Sequence, residues 1–541
     1  MSEVYRRLAE GLPRGVQAVL PFPADARGAA AWIDALPRTD AAATRTALLD
    51  ALAALATPGG MKGGSRREIA DRLRPVVLDV ALSTQRAYAG KPLPLAGELG
   101  RLPGELAQLH LRLAHGYRLA AADLCAPSGS LPWLRGGQVT EALQVASHHY
   151  VEALRTAWRV YAGHPPEAWR GLHRCYHFAV ARDLAGRPSV DPLHPGAPTL
   201  RQRYLQVLLM AVLHPRAHSQ VEQDKLWMLC AAFVPASPLR DAPSADSAGV
   251  PDDADEGPRG RSPPRQWLGL AAFAAAVESA LAASKIEKGI VVPDQGMPQE
   301  FATDTLRKLR RAFSQAAARQ FLRLDGGHAL ETVVGLSGLH YLASGERDFD
   351  HFARDLLGET GVGATPGRAA WAAGSGESTS RTRPMAAVAI DQSLGGYRVR
   401  WNGESAPRLR VGELVGLRPL DEEEGDWMVG LLRWLRYEPD GQVMAGVELL
   451  SREAMPVALA PSAPGRPPLR ALELRSIDGG DDWLYLAAQR LPQGEAFAVA
   501  RDSEAGTELI DRRPDGLLGD LRLLQSFGDY FLYRHATAAS P

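Results

Sequence analysis

Apolar residues recur at helical spacing through the first two-thirds of the chain. Leu106, Leu109, Leu113 and Tyr117 share one face, with His110, Arg112 and Arg118 between them. Such a stripe has to pack on a neighbour. Leu143, Tyr150, Leu154, Trp158 and Tyr161 continue the pattern, as do Leu205, Leu208, Leu209 and Val212. Ser65 and Glu68 stand at capping-box spacing ahead of Ile69, Leu73 and Val76, and Pro75 predicts a break or kink in that helix. Short connections between long helices predict antiparallel helical hairpins, forming an irregular bundle or solenoid. Trp169, Leu172, Tyr176 and Ala185 match tetratricopeptide spacing at several positions. His173 replaces the expected glycine, however, and no clean second copy follows.

Two stretches interrupt the helical pattern. Residues 236–264 are rich in Pro, Ser, Asp and Gly and carry Asp252, Asp253, Asp255 and Glu256. They bury too little apolar surface to offset ordering, which predicts a disordered loop inside the helical region. Residues 358–380 are rich in Gly, Ser and Thr and predict a linker. Beyond it the period drops to two: Tyr397, Val399 and Trp401 alternate with Arg398 and Arg400. Further strands are predicted over 409–417, 427–435 and 443–450, with turn signals at Gly403, Gly425 and Gly441. After a proline-rich joint, strands are predicted over 469–477, 483–488, 496–501 and 521–533. The expected fold class is multidomain α + β. It comprises an all-α bundle or solenoid over 1–357, a small antiparallel β-barrel over 381–460 and a further β module over 466–536.

The 541 residues correspond to roughly three domains. Lys and Arg total 61 against 62 Asp and Glu, a balance that argues against a dedicated DNA or RNA binder. Cys125, Cys175 and Cys230 lie far apart, which predicts no disulfide framework, no thiolate zinc site and a reducing compartment. The first residues lack the apolar core of a signal peptide, and no apolar run reaches the roughly 18 residues of a membrane span. A cytoplasmic protein without membrane insertion is expected.

Catalytic signatures are missing as well. His173 and His177 stand at i, i+4, but no glutamate follows His173 as in a zinc-protease helix. Neither a phosphate-binding P-loop nor a G-x-S-x-G elbow occurs. No enzyme, no catalytic residue, no metal and no cofactor are expected.

The most informative segment is Arg381 to Trp401, RTRPMAAVAIDQSLGGYRVRW. Asp391-x-Ser393-x-x-Gly396 stands immediately before the alternating strand. A carboxylate accepts two donors from a planar edge such as guanine N1–H and N2–H. Ser393 adds a hydroxyl, and Gly395 and Gly396 let backbone approach. Arg381 and Arg383, just upstream, suit phosphate forks and purine faces.

DQSLGG resembles the second motif, (D/N)-x-S-x-x-G, of the PilZ family of cyclic di-GMP receptors. The similarity continues through VGELVGLRPL, WMVGLLRWLRYEPDG and AGVELL, whose Gly446-Val447 pair is similar to the family's terminal strand. A long helical region followed by a PilZ-like barrel also resembles a group of atypical PilZ receptors. The resemblance implies cyclic di-GMP as ligand, bound through Arg381, Arg383, Asp391, Ser393, Gly395 and Gly396. It further implies protein partners engaged through the helical region and a place in bacterial motility, type IV pili or biofilm formation.

The family's first motif, R-x-x-x-R, is expected roughly 20 to 30 residues before the aspartate, where Arg368 stands alone. A basic helix carrying Arg307, Lys308, Arg310, Arg311, Arg319 and Arg323 is the other expected source of arginines. The rival expectation is an interaction scaffold whose barrel no longer binds nucleotide.

Overall fold

The computed structural model describes residues 2–10, 19–58, 61, 64–284, 287–314, 324–358, 382–402, 408–420, 426–438, 440–463, 465–475, 477, 483–492, 494–501, 508–510, 521–527 and 530–535. It divides into two compact units. One comprises Met1–Ser279, Val291–Gln299 and Leu309–Ala316, the other Ala280–Ile290, Glu300–Lys308 and Ala317–Pro541.

The helices are α1 (Glu3–Ala9), α2 (Ala26–Asp34), α3 (Ala41–Leu55), α4 (Ser65–Tyr88), α5 (Leu102–Leu124), α6 (Gly136–Arg159), α7 (Ala168–Ala181), α8 (Leu200–Val212), α9 (Gln220–Phe233), α10 (Ala271–Ala282), α11 (Thr303–Phe313), α12 (Leu336–Ala343) and α13 (Phe349–Leu357). In the first unit α5 is the axis, with α1, α3, α4, α6 and α7 around it. The stripe of Leu106, Leu109, Leu113 and Tyr117 is buried as expected, but so are His110, His115 and Arg118 between those residues. A helix enclosed on several sides has no face left for polar groups, so each needs an internal partner. Arg118 donates to the Glu10 carbonyl at 2.7 Å, to the Leu8 carbonyl and to the Tyr150 hydroxyl at 3.1 Å. It thereby satisfies carbonyls that the end of α1 leaves open. His110 and His149 meet through their Nδ1 atoms at 3.0 Å, and the Tyr150 hydroxyl lies 2.7 Å from His115 Nδ1.

Two local expectations on α4 need correction. The helix runs through Pro75 without a break, and its N-cap is Gly64, with no side-chain capping bond.

The acidic stretch expected as a disordered loop is also ordered. It contributes β1 (Leu239–Arg240) and β2 (Ser247–Pro251), which pair with β3 (Pro264–Gly269) in the order β1-β3-β2. Tertiary ion pairs supply what its composition lacks. Asp252 meets Arg7 at 2.6 Å and His177 at 3.0 Å, and Asp253 takes the Arg174 guanidinium at 2.7 and 3.2 Å. Asp255 accepts the backbone N–H groups of Glu167 (2.6 Å) and Trp169 (3.1 Å), so it caps α7 from 86 or more residues away. His173 is spent on the Tyr204 hydroxyl (2.6 Å) and the Glu256 carbonyl (2.9 Å). Among the described residues no group of three or more His, Cys, Asp or Glu is arranged to hold a metal, and no helix is long and apolar enough to cross a membrane.

The second unit holds the barrel. After a two-stranded ribbon of β4 (Lys288–Val291) and β5 (Gln299–Ala302) come β6 (Leu324–Asp325), β7 (Ala329–Val334), β8 (Met385–Ser393), β9 (Gly396–Trp401), β10 (Leu414–Pro419), β11 (Met428–Tyr437) and β12 (Val443–Ser451). Six of them close in the order β8-β7-β10-β11-β12-β9, with β9 returning to β8 and every pairing antiparallel. Trp401 is fully buried and donates its indole N–H to Thr332 Oγ1 at 2.9 Å.

The barrel therefore begins before residue 358, not at 381. Its strand β7 is only six residues long and runs into Gly335 and the helix α12, so the helical signal of GLSGLHYLA hides it. The 358–380 linker, of which 359–380 lie outside the described residues, interrupts the barrel instead of preceding it. The predicted 409–417 strand begins at Leu414, after a turn that uses Gly412 at φ +90°.

A seven-stranded sheet follows, made of β13 (Ala454–Pro461), β14 (Leu469–Arg475), β15 (Trp483–Ala487), β16 (Phe497–Arg501), β17 (Glu508–Ile510), β18 (Leu521–Ser526) and β19 (Phe531–His535). The predicted 521–533 strand is thus a hairpin, β18 with β19. This sheet shares a core with the barrel: Val333, Val429 and Leu431 meet Leu472, Leu486 and Leu532, with Leu336 and Leu339 of α12 between them.

A buried ionic cluster fastens the start of α11 to the barrel wall. One Nη of Arg433 donates to both Asp304 carboxylate oxygens at 2.9 and 3.1 Å, and Lys308 at 3.2 Å and the Gln525 amide at 2.6 Å complete the cluster. Burial alone raises a carboxyl's pKa. Here Lys308 and Arg433 outweigh it and hold Asp304 at about 2.

Two outcomes are expected. Arg118→Met leaves the α1 carbonyls without donors inside the bundle and costs about 3 kcal/mol, read as a lower urea midpoint at unchanged slope. Asp304 has a folded-state pKa below its unfolded value, so its contribution is full above about pH 4 and lost as pH falls toward 2. Wild type should exceed Asp304→Asn by about 2 kcal/mol at pH 6, and urea titrations should show that gap closing by pH 2.

Candidate functional site

Strand β8 starts with Ala387 and Ala389 facing the barrel core. Had the alternation continued, Asp391 would face inward too. A bulge lies between the pairs Ala389↔Val399 and Asp391↔Arg398. The extra residue, Ile390, shifts the parity, so Asp391 joins the face of Arg398, which alternates with the buried Tyr397 and Val399. Opposed residues share a face, and the Asp391 Oδ2 lies 2.6 Å from an Arg398 Nη. Asp391 is 8% exposed. The Nε of Arg398 is shut from solvent and has no hydrogen-bond partner among the described residues.

The DQSLGG turn follows at once. Ser393 pairs with Gly396, and its hydroxyl donates to the Gly396 carbonyl at 3.3 Å, closing the turn. The Gly395 carbonyl accepts the Leu449 N–H at 3.0 Å, which ties the turn to β12. A Cβ on Gly396 would sit 2.2 Å from the Val447 carbonyl oxygen, so only glycine fits. Leu394 projects from the tip, 62% exposed, with an Arg452 nitrogen 3.3 Å from its carbonyl oxygen.

The other expected arginines fall differently. Arg381 lies outside the described residues. Arg383 is exposed and precedes β8 at its far end, about 26 Å along the extended chain from Asp391 at the usual rise per residue. Those two residues do not meet, and Arg398 is the guanidinium that Asp391 holds instead. The alternation along Tyr397 to Trp401 by itself puts Arg398 only on the polar face of a strand. The ladder position that gives it a role depends on the bulge, which no local pattern announces.

The expected basic helix is shorter than its charge run. Helix α11 ends at Phe313, and Arg319 and Arg323 lie outside the described residues. Their sequence position nevertheless gains meaning from the strand that follows. RQFLR, Arg319 to Arg323, is an R-x-x-x-R directly ahead of β6. Strand β6 pairs with β8 at the motif itself, Leu324↔Gln392 and Asp325↔Asp391. The window of roughly 20 to 30 residues is overrun because α12, α13 and the 358–380 stretch are inserted between β7 and β8. Gly326 lets β6 and β7 run as one kinked edge beside β8: a Cβ there would sit 2.2 Å from the Ala389 carbonyl oxygen.

Comparison with known proteins agrees with this layout. The family model described as the N-terminal domain of cyclic-di-GMP receptor FimW matches residues 27–244. The model of that receptor's middle PilZ domain matches 261–365 and 367–456, so it too begins well before the 358–380 stretch. The cyclic-di-GMP receptor FimW of Pseudomonas aeruginosa is 25% identical over 543 residues, covering 89% of this chain and 87% of that protein. Two successive domain models of one receptor type, matched in order along most of the chain and joined to a closed six-stranded barrel, place this chain in the PilZ-containing family of cyclic-di-GMP receptors.

Proposed function

We propose that the barrel binds cyclic di-GMP at the rim formed by β6, the end of β8 and the β8–β9 turn. One observation carries this reading. The register Asp325↔Asp391 sets the strand that directly follows an R-x-x-x-R in sequence alongside D-x-S-x-x-G, although Arg323 and Asp391 stand 68 positions apart along the chain.

The chemistry is complementary. The Asp391 carboxylate suits the N1–H and N2–H edge of a guanine, and Ser393 stands two residues on. Arg319 and Arg323 suit phosphate oxygens and the purine face. Arg398 has the Nε donor described above still unused. Gly395 and Gly396 keep the turn low, so a ligand can approach the backbone there. On this reading the protein is a non-catalytic receptor. Binding is relayed to protein partners through the helical region, in motility, type IV pili or biofilm behaviour of the kind the family resemblance implies. The relay requires a ligand with unequal affinity for two states of the protein.

A second reading has its own support. Asp391 is nearly buried and already satisfied in part by Arg398. A corner occupied by its own chain suits a barrel that serves as a docking platform.

Calorimetry with cyclic di-GMP separates the two. Wild type should bind with a Kd of about 1 μM, near −8 kcal/mol. Asp391→Ala and Arg323→Ala should each weaken binding at least about tenfold, a loss of about 1.4 kcal/mol, while Arg383→Ala leaves it unchanged. Absence of wild-type binding at tens of micromolar ligand (about −6 kcal/mol) would leave the docking platform standing.

A further inference from the structure

The first unit contains a cavity of about 380 Å³ between α4, α6, the start of α8 and the 189–198 segment, remote in sequence from the barrel motifs. The segment over it is pinned at two points. Ser189 donates to Gln144, and Asp191 receives the Arg74 guanidinium at 2.9 and 2.6 Å. Most ionic groups of the lining are paired with one another. Arg67 meets Glu141 at 2.7 Å and Asp71 at 3.4 Å, and the Tyr117 hydroxyl donates to Asp71 at 2.7 Å.

Arg203 is the exception. It lines the cavity from the first turn of α8 and is 9% exposed, yet no hydrogen bond or ion pair engages its guanidinium among the described residues. Glu152 and Asp191 act on it only electrostatically, and burial draws its pKa downward. Nearby, Arg74 Nε and His148 Nδ1 are shut from solvent without partners. A buried cation with open donors is costly unless something fills them. The rest of the wall, with Pro75, Val145 and Leu193, is apolar.

We propose that this cavity binds a small organic carboxylate with an apolar body, the Arg203 guanidinium taking the carboxylate. The planar fork of an arginine matches a carboxylate's two oxygens. The volume falls within the range of small-molecule sites, roughly 300–1,000 Å³. The charge of the lining selects against a dianion. Arg67, Arg74 and Arg203 face Asp71, Glu141 and Asp191, so there is no cationic surplus to neutralise a phosphate monoester. The apolar wall asks for more than a bare ion.

The test uses the full chain and three probes, benzoate, phenylacetate and isovalerate, in calorimetric and thermal-shift titrations. Benzyl alcohol and inorganic phosphate are the controls. At least one carboxylate should bind saturably at one site per chain and raise the melting temperature. Arg203→Met should weaken that binding at least about tenfold, the loss expected for a charge-assisted pair. Val145→Trp keeps the arginine but fills the space, and should abolish binding; it carries the test if Arg203→Met does not fold. The proposal falls if none of the three acids binds, if both variants bind as wild type does, or if benzyl alcohol or phosphate binds as well as the acids. Titrating cyclic di-GMP into the same preparations keeps failure here distinct from failure at the barrel rim.

Discussion

The ladder that joins β6 and β7 to β8 is the constraint on which the barrel and its rim depend. It closes the sheet, since β8 is the strand that β7 and β9 both flank. It also decides which distant segments become neighbours at the rim. A one-residue slip in a strand moves every side chain to the opposite face. Here one such shift is built in, at Ile390, and it takes Asp391 out of the core parity and places it against Arg398.

The same economy of partners governs the helical unit. Arg118, Asp255 and Asp253 are polar groups in places where their sequence neighbours would predict solvent. Each instead completes a distant element: the end of α1, the start of α7 and the side of α7. Removing one partner of such a pair costs more than the pair contributes, because the survivor is left buried and unsatisfied. Arg203 stands apart from this pattern, and for that reason the cavity beside α8 invites a ligand.

Asp304 shows how the barrel wall recruits chain from outside the strands. It lies at the start of α11, and one Nη of Arg433 on β11 spans both its oxygens while the Nε of the same guanidinium engages Glu448 on β12. Helix α11 is therefore anchored at its first turn. The chain that leaves it passes through the paired arginines at 319 and 323 before entering β6.

Much of the local structure was legible from the residues alone. Spacing of three and four along Leu106 to Tyr117, and of two along Tyr397 to Trp401, reflects geometry each segment carries by itself, and those elements formed as expected. So did the D-x-S-x-x-G turn, because a glycine with no room for a Cβ is a local requirement. What needed the tertiary structure were relations between segments far apart. Strand β7 was too short to stand out beside α12, the acidic stretch gained order from distant partners such as Arg7, Arg174 and the start of α7, and Arg323 became relevant only through Asp325↔Asp391. Periodicity is a property of neighbouring residues, whereas register and charge pairing are settled when separate stretches of backbone are brought side by side.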